Sequence, residues 1–583
     1  MLQHLKDQIK KIVLKKFGIK IKSEKIVIEQ PPEAKMGDFC FSCFLLAKEI
    51  KKFPKEIAES LAQEIKCDKI IKEIKNTGPY LNFFIHREIF FENIYKKLHE
   101  KKKQKISSKQ IIIEFSSPNT NKPLHLGHFR SSILGMSLAN LLEENNYQVI
   151  KANSVNDRGI HICKAMLAYQ KWGENKTPTN EKIKGDHFVG NFYVMFDKKA
   201  KKEQEKKSLE KITETNLYKE ALEMLKKWEQ GDVEIMKLWK KMNKWVLYGF
   251  KKTYQRIGIN FDQWYFENQT YKVGQEIILK ALKKGICYQR EDKAIEIDLT
   301  QYGLDKKVLL RADGTSVYMT QDIGLAKLKF SQFKLDQSII LTGTEQIYHF
   351  QVLFKILELL NFKWQKKCIH LVHEMVNLPE GKMKSREGIV VDSDNLLNEM
   401  CEMAQIEIKK RDQNISLKEL RQRAEKISLA AIKFHLLKVN PKQRIIFNPK
   451  QSLSFEGATG PYLQYTYARI QSILKKLMLG GSTSKYKHIN FSYLKEEEEW
   501  EIGKRIFEFS DVIKKAALDY NPAILAEYLL KLASSFNKFY HQHSVIKAES
   551  EKVQKARLAL IQCGAIVLKK GLNLLGIEEI EKM

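Results

Sequence analysis

The sequence predicts an α/β protein: a doubly wound parallel sheet, with an α+β unit before it and an α-helical bundle after it. Three observations carry that expectation. The β-branched run QIIIEFSS gives way to a loop bracketed by Pro118 and Pro123. A helical period follows in HLGHFRSSILGMSLANLLEENN, then a strand-like YQVIKANSVND. Strand, loop, helix, strand is how a parallel sheet is built. The first hundred residues mix short strand-like runs with helical ones, and from residue 401 the pattern is almost wholly helical. At 583 residues the chain exceeds what one core can organise, so two to four domains are expected.

Taken in order, MLQHLKDQIKKIVLKKFGIKI is basic with a helical period. It carries Asp7 and lacks the apolar run and small-residue cleavage site of a signal peptide, so a first helix and a cytoplasmic protein are expected. KIVIEQPP reads as a strand stopped by two prolines, and FLLAKEIKKFPKEIAESLAQEIK as helices interrupted at Pro54. YLNFFI reads as a strand after the turn Asn76-Thr77-Gly78-Pro79. The first unit is therefore placed at 1–100, with Lys101-Lys102-Lys103 in a linker. The sheet unit occupies 106–400, with strand-like KAIEIDL, QSIILTG and GIVVD in its later part. Residues 171–251 are rich in Lys, Glu and Trp at helical spacing and read as a helical insertion whose Trp and Met stripe forms core. The bundle takes 401–583.

Apolar residues at 43% and charged residues at 29% describe a globular protein. No apolar run approaches the length of a membrane span, so no membrane partner is expected. The net charge of +31 favours a polyanionic partner, although abundant lysine, isoleucine and asparagine throughout account for part of the excess. The eight cysteines are scattered, as reduced thiols would be. Cys40 and Cys43 form a lone C-x-x-C with no second ligand pair nearby in sequence, so packing is expected there and no tightly bound metal.

The strand-to-helix junction carries His125-Leu126-Gly127-His128. Imidazoles three apart at a helix start share one face, near the unpaired N–H groups of the first turn. Gly127 leaves room for close approach of a ligand. Such a place suits phosphate groups, with imidazole N–H groups stabilising charge that shifts during attack at phosphorus. Far downstream, Gly381-Lys382-Met383-Lys384-Ser385-Arg386-Glu387-Gly388 is a cation-rich loop of the kind a pyrophosphate leaving group requires.

HLGH followed by GKMKSREG resembles the HIGH and KMSKS signatures of class I aminoacyl-tRNA synthetases. The longer context resembles the arginyl branch: Ser116-Ser117-Pro118-Asn119-Thr120-Asn121-Lys122-Pro123-Leu124 before HLGH, then Arg311-Ala312-Asp313-Gly314-Thr315. Tyr318-Met319-Thr320-Gln321-Asp322-Ile323, Gly343-Thr344-Glu345-Gln346 and Gly457-Ala458-Thr459-Gly460-Pro461-Tyr462-Leu463-Gln464-Tyr465 are similar to it as well. Gly37-Asp38, LAKEIKKFP and NTGPYLNF look like that branch's extra N-terminal domain. The resemblance covers nearly the whole chain and is weakest in the insertion.

It implies a HIGH-type Rossmann-like catalytic domain, a tRNA-contacting N-terminal domain and an anticodon-binding bundle. The implied activity is ATP-dependent activation of arginine, with Mg²⁺ accompanying the ATP, and transfer to tRNA(Arg) by a monomer, with activation requiring bound tRNA. Glu114, Ser117, Asn119, Tyr318, Asp322 and Gln346 match the arginine pocket. Asp322 and Tyr318 are assigned to the guanidinium, and Glu114, Asn119 and Gln346 to the backbone end of the substrate. Pro118, Leu126, Gly127, His128, Gly343, Glu345, Met383, Lys384 and Arg386 match the ATP site. His125, His128, Lys122 and Lys382 are the catalytic group. Ser385 stands where KMSKS has its second lysine, which leaves the main phosphate cation open among Lys122, Lys382, Lys384 and Arg386; Lys122 with Lys382 is favoured. Tyr462, Tyr465 and Tyr467 are candidates for stacking on anticodon bases, with core packing as the competing reading. A cysteinyl-type enzyme would want a zinc pocket, a glutamyl type would want cations at Asp322, and a small nucleotidyltransferase would leave the terminal domains unexplained. Intact HLGH, Lys122 and the arginine-pocket carboxylate argue against a silent tRNA-binding relative, and turnover is what decides it.

Overall fold

The computed structural model describes residues 1–100, 108–377, 379, 392–478 and 489–583. The N-terminal unit runs α1 (Leu2–Phe17), β1 (Ile28–Glu29), β2 (Phe39–Ser42), α2 (Phe44–Ile50), α3 (Pro54–Glu64), β3 (Ile71–Thr77), β4 (Tyr80–Ile85) and α4 (Arg87–His99). Its antiparallel sheet has the order β1-β2-β4-β3. Pro54 starts α3, where its missing N–H costs nothing. Two strands escape the sequence reading. β2 is nearly all buried and runs into α2, so its apolar residues read as helix. β3 is a lysine-bearing, largely solvent-facing sheet edge, a pattern that protects edges but hides strand periodicity. Cys40 and Cys43 are buried in this unit.

The central sheet has five parallel strands in the order β12-β11-β5-β6-β7: β5 (Gln110–Glu114), β6 (Gln148–Val155), β7 (Gln263–Phe266), β11 (Gln337–Gly343) and β12 (Cys368–His373). Ile111, Ile112 and Ile113 are buried, as an inner parallel strand covered on both faces demands. The chain leaves β5 for β6 and β7 on one side, then returns to lay β11 against the other edge of β5. That reversal opens a crevice at the carboxyl ends of β5 and β11, where ligands bind on such sheets. α5 (Leu126–Glu144) joins β5 to β6. Helices α6 (Ile160–Trp172), α7 (Gly185–Lys206), α8 (Asn216–Gln230) and α9 (Val233–Arg256) lie between β6 and β7. Trp228, Trp239, Met224 and Met242 are buried among them. Between β7 and β11 come α10 (Glu267–Lys283), the small antiparallel sheet of β8 (Tyr288–Gln289), β9 (Ile295–Ile297) and β10 (Lys307–Leu310), and α11 (Tyr318–Gln332); α12 (Ile347–Leu359) joins β11 to β12.

Among the described residues, the rest is helical apart from one short parallel pair, Val376–Asn377 with Ile445–Ile446. It comprises α13 (Ser393–Arg411), α14 (Leu417–Leu437), the single turn α15 (Pro449–Ser452), α16 (Gly460–Met478), α17 (Glu497–Leu518), α18 (Ala523–Gln542) and α19 (Glu551–Leu574). Phe90 of α4 packs 4.5 Å from Trp500 and 5.2 Å from Phe507 of α17, so an aromatic seam fastens the N-terminal unit to the bundle. Among the described residues no helix is long and apolar enough to cross a membrane.

Candidate active site

The crevice is a cavity of about 430 Å³. Its floor is the end of β5, where the chain leaves the sheet through two consecutive non-glycine residues with left-handed backbone, Ser116 (φ 77°) and Ser117 (φ 49°). Such conformations cost about 1–3 kcal/mol each and persist only when their surroundings fix them. Here the Ser116 N–H donates to Ser131 Oγ (3.0 Å), the Ser117 N–H to Asn153 Oδ1 (3.1 Å), and the Ser116 hydroxyl lies 2.6 Å from that of buried Tyr254. The turned backbone then pairs with the segment after β6: the Asn156 N–H donates to Pro118 O and the Thr120 N–H to Asn156 O, both at 3.0 Å. Ser117 and Asn119 therefore face the cavity.

His125 precedes α5 as its N-cap, and His128 sits in the first turn. Their rings lie 3.7 Å apart, and His128 Nδ1 accepts the His125 backbone N–H at 3.1 Å. That bond occupies one nitrogen and leaves the Nε2 proton of a neutral His128 for a ligand. Burial and the Lys122 ammonium push His125 down to about 4. Burial, His125 and Lys122 hold His128 well below the usual imidazole range. Both are thus neutral donors at physiological pH. A methyl group on Gly127 would meet the His125 ring at 3.0–3.1 Å, so any larger residue there would push the imidazole by a few tenths of an ångström. Lys122 is half-buried beside the pair and does not itself line the cavity.

The other walls come from distant segments. Tyr318 and Asp322 lie one turn apart at the start of α11 and both reach the cavity, Tyr318 standing exposed at its mouth. Asp322 Oδ2 accepts from His349 Nε2 at 2.5 Å. Gly343 ends β11, and the Glu345 carboxylate folds so closely over it that an added methyl would overlap it at 2.2 Å. Glu345 and Gln346 form an exposed rim. Glu114, the last residue of β5, is buried below and paired with Lys329.

Among the lining residues given no site role from the sequence, three are titratable: His349, His373 and Glu267. Glu267 opens α10 at the carboxyl end of β7, is 9% exposed, and keeps a buried Oε2 without a hydrogen-bond partner. Burial pushes it up to about 8, against the pull of Arg158. Its one signal is its place right after the strand-like QWYF, informative only once that strand is known to belong to the sheet. Two of the expected ATP-site positions do not line the cavity. The Leu126 side chain is buried in the core, as are most of the residues of α5. Pro118 is also buried and engages Asn156 rather than the cavity. Lys382, Met383, Lys384 and Arg386 lie outside the described residues.

The described chain resumes against the HLGH turn. Asp392 bridges His125 through the backbone, and the Ser393 N–H donates to Leu124 O at 3.0 Å. Asp394 pairs with Lys184 and, at 3.1 Å, with His187, which burial opposes but this hydrogen bond raises. Asp186, His187 and Asp394 have metal-ligand spacing, but the Lys184 ammonium already bridges both aspartates.

A second cavity, about 780 Å³, opens in the bundle between α13, α16 and α18. Tyr462 and Tyr465, three apart on α16, line it with Arg469, Asn537 and His541. The Arg469 guanidinium lies 4.7 Å over the Tyr465 ring, and Asn537 Nδ2 donates to the Tyr462 hydroxyl at 2.9 Å. Tyr467 does not join them: two residues beyond Tyr465 it points to the other face of the helix and is 4% exposed in the core, so the packing reading holds for it.

Comparison with known proteins agrees with this architecture. Residues 3–85 match the model of the arginyl-tRNA synthetase N-terminal domain. Residues 92–448 match the class I tRNA synthetase (R) catalytic domain, and 463–583 the DALR anticodon-binding domain. The arginine–tRNA ligase of Treponema denticola is 44% identical over 575 residues, covering 97% of this chain and 96% of the relative. That of Parabacteroides distasonis is 40% identical over 582 residues, covering 97% of each. The solved arginyl-tRNA synthetase of Thermus thermophilus superposes with a TM-score of 0.82 at 25% identity over the whole of both chains.

Proposed function

The chain belongs to the arginyl-tRNA synthetase family and joins arginine to tRNA in an ATP-dependent reaction, and from that premise we propose how its residues divide the work. One observation carries the division: imidazoles at a helix N-terminus and the carboxylates Glu114, Glu267 and Asp322 converge on a single cavity. ATP, with its Mg²⁺ as part of the substrate, lies over the HLGH turn, with its adenosine toward Gly343 and Glu345. His125 and His128 donate N–H groups to the phosphates, and Lys122 supplies positive charge, together with Lys382 and its neighbours Met383, Lys384 and Arg386. Arginine lies across the end of β5. Its guanidinium meets Asp322, Tyr318 and Glu267; its α-ammonium and carboxylate meet Glu114, Ser117, Asn119 and Gln346. The arginine carboxylate attacks the α-phosphorus, releasing pyrophosphate. The terminal ribose hydroxyl of tRNA then attacks the adenylate carbonyl, releasing AMP. Positioning and charge stabilisation do most of this work, with no protein nucleophile.

Residues 1–100 contact the body of the tRNA, 106–400 perform the chemistry, and 401–583 read the anticodon; the matched catalytic region extends past residue 400, through α13 and α14 to residue 448. The enzyme acts as a monomer in the cytoplasm. Charging total tRNA with each amino acid in turn, with ATP and Mg²⁺, tests the assignment. Arginine alone should be transferred, and arginine-dependent pyrophosphate exchange should be negligible until tRNA is added. Charging with another amino acid would overturn the pocket assignment, and robust exchange without tRNA would overturn the tRNA requirement.

Tyr462→Ala and Tyr465→Ala should each weaken tRNA binding by about 1–3 kcal/mol, the worth of one base stacked on an aromatic ring. Tyr467→Ala should instead cost about 3–5 kcal/mol of folding stability, as emptied aromatic core sites do. Filter binding and denaturant titration on the three variants separate the two effects. Unchanged tRNA affinity in the first two would assign the bundle cavity another role.

A further inference from the structure

Lys329 is a charged group with no part in the reaction scheme. It lies two turns along α11 from Asp322, is 1% exposed, and its hydrogen-bond acceptor is Glu114 on β5. A gap of about 20 Å³ between the two elements is lined by Glu114, Asp322, Lys329, Ser338 and Cys368. Glu114 lines both this gap and the substrate cavity above it, so it connects Lys329 to the site.

Stability gives no reason for the pair. Taking both charges from water is expensive, and well-packed apolar residues in their place are often as stable or more so. The arrangement of oxygens does give one. Lys329 pairs with Oε2 of Glu114 from below, and the same carboxyl group lines the substrate cavity above. A buried carboxylate without a partner takes up a proton and loses its attraction for an ammonium group. One paired from below stays charged and cannot rotate away. We propose that Lys329 is a positioning residue for the amino-acid substrate, holding Glu114 ionised and aimed so that the substrate's α-ammonium meets a carboxylate. This rests on the assignment of Glu114 to the backbone end of arginine.

The groups facing the pair are Asp322 on α11, the Cys368 thiol on β12, which burial pushes up to about 11 while Lys329 pulls it down, and the Tyr265 hydroxyl on β7, raised by burial and by Glu114. Neither the thiol nor the phenol titrates near neutral pH, and Glu267, raised by burial, is common to every variant, so a change in the acid limb from wild type to Lys329→Met reports on the pair. The test is aminoacylation kinetics, with tRNA saturating, for Glu114→Gln, Lys329→Met, their combination and Lys329→Arg. Lys329→Met should raise KM for arginine at least tenfold, leave KM for ATP within twofold, and move the acid limb of kcat/KM for arginine to higher pH. The double variant should be no worse than Glu114→Gln, and Lys329→Arg should stay within threefold of the wild type. If Lys329→Met does not accumulate as folded protein, Lys329→Gln replaces it in the same comparison. An arginine KM raised by Glu114→Gln but not by the lysine variant would reduce Lys329 to packing, as would KM values for arginine and ATP raised alike. If Glu114→Gln itself leaves the arginine KM unchanged, the assignment of Glu114 fails first and the proposal with it.

Discussion

Replacing His128 with alanine should lower arginine-dependent pyrophosphate exchange, measured with tRNA present, by about 10²–10³-fold. That is the usual loss when one preorganised donor to a developing negative charge is removed, about 2.7–4 kcal/mol in the barrier. The same substitution deletes the acceptor for the His125 N–H. Losing such a helix cap costs about 1 kcal/mol of stability. The rate effect should therefore far exceed the stability effect, and a thermal melt beside the exchange assay tells them apart. Since burial and Lys122 keep both imidazoles neutral, with His125 at about 4, they act as N–H donors. Their contribution in the free enzyme should not titrate between pH 6 and 8. A loss of less than tenfold, or one that tracks a fall in melting temperature, would remove His128 from the chemistry.

The second large effect falls on arginine binding and is set by pH. With its carboxyl raised to about 8, Glu267 is mostly protonated in the free enzyme at pH 7. A guanidinium favours the ionised form, so arginine binding should expel a proton from this group. Affinity should climb as pH rises from 6 toward 8 and level off above. Glu267→Gln should flatten this rise and weaken arginine at pH 8.5 by about 3 kcal/mol, roughly 10²-fold, the scale of breaking a buried charge pair. Near pH 6, where the wild-type side chain is itself neutral, the difference should nearly vanish. Calorimetric titration in two buffers of different ionisation enthalpy measures both the affinity and the released proton. A wild-type affinity that stays flat from pH 6 to 8.5 would exclude Glu267 from the guanidinium end.

Much of this site is legible in the amino-acid sequence, and the division between what is legible there and what is not has a physical cause. Ser116 to His128 form one uninterrupted segment, and a strand ending in small polar residues, a proline-bracketed loop and a helix start all leave local marks. Tyr318 and Asp322 share a helix face at a spacing of four, and QSIILTG is a largely buried strand. Each of these is fixed by neighbours within a few residues, through backbone dihedrals and side-chain periodicity. The sequence by itself therefore determined the fold class, the family and the phosphate-side motif.

Sheet order and burial decided the rest. Glu267 follows a strand of four residues whose pattern is ambiguous alone, and it becomes a site residue only because β7 pairs with β6 and ends at the same rim. Lys329 and Glu114 lie 215 residues apart in sequence and meet only because α11 packs beneath β5. Tyr467 lies on the same helix two residues past Tyr465 yet turns into the core, a distinction made by which face of α16 the bundle covers. Burial is the main force that raises Glu267 and lowers the two imidazoles. Spacing along the chain records local geometry, whereas dielectric environment and long-range pairing exist only after the chain has packed.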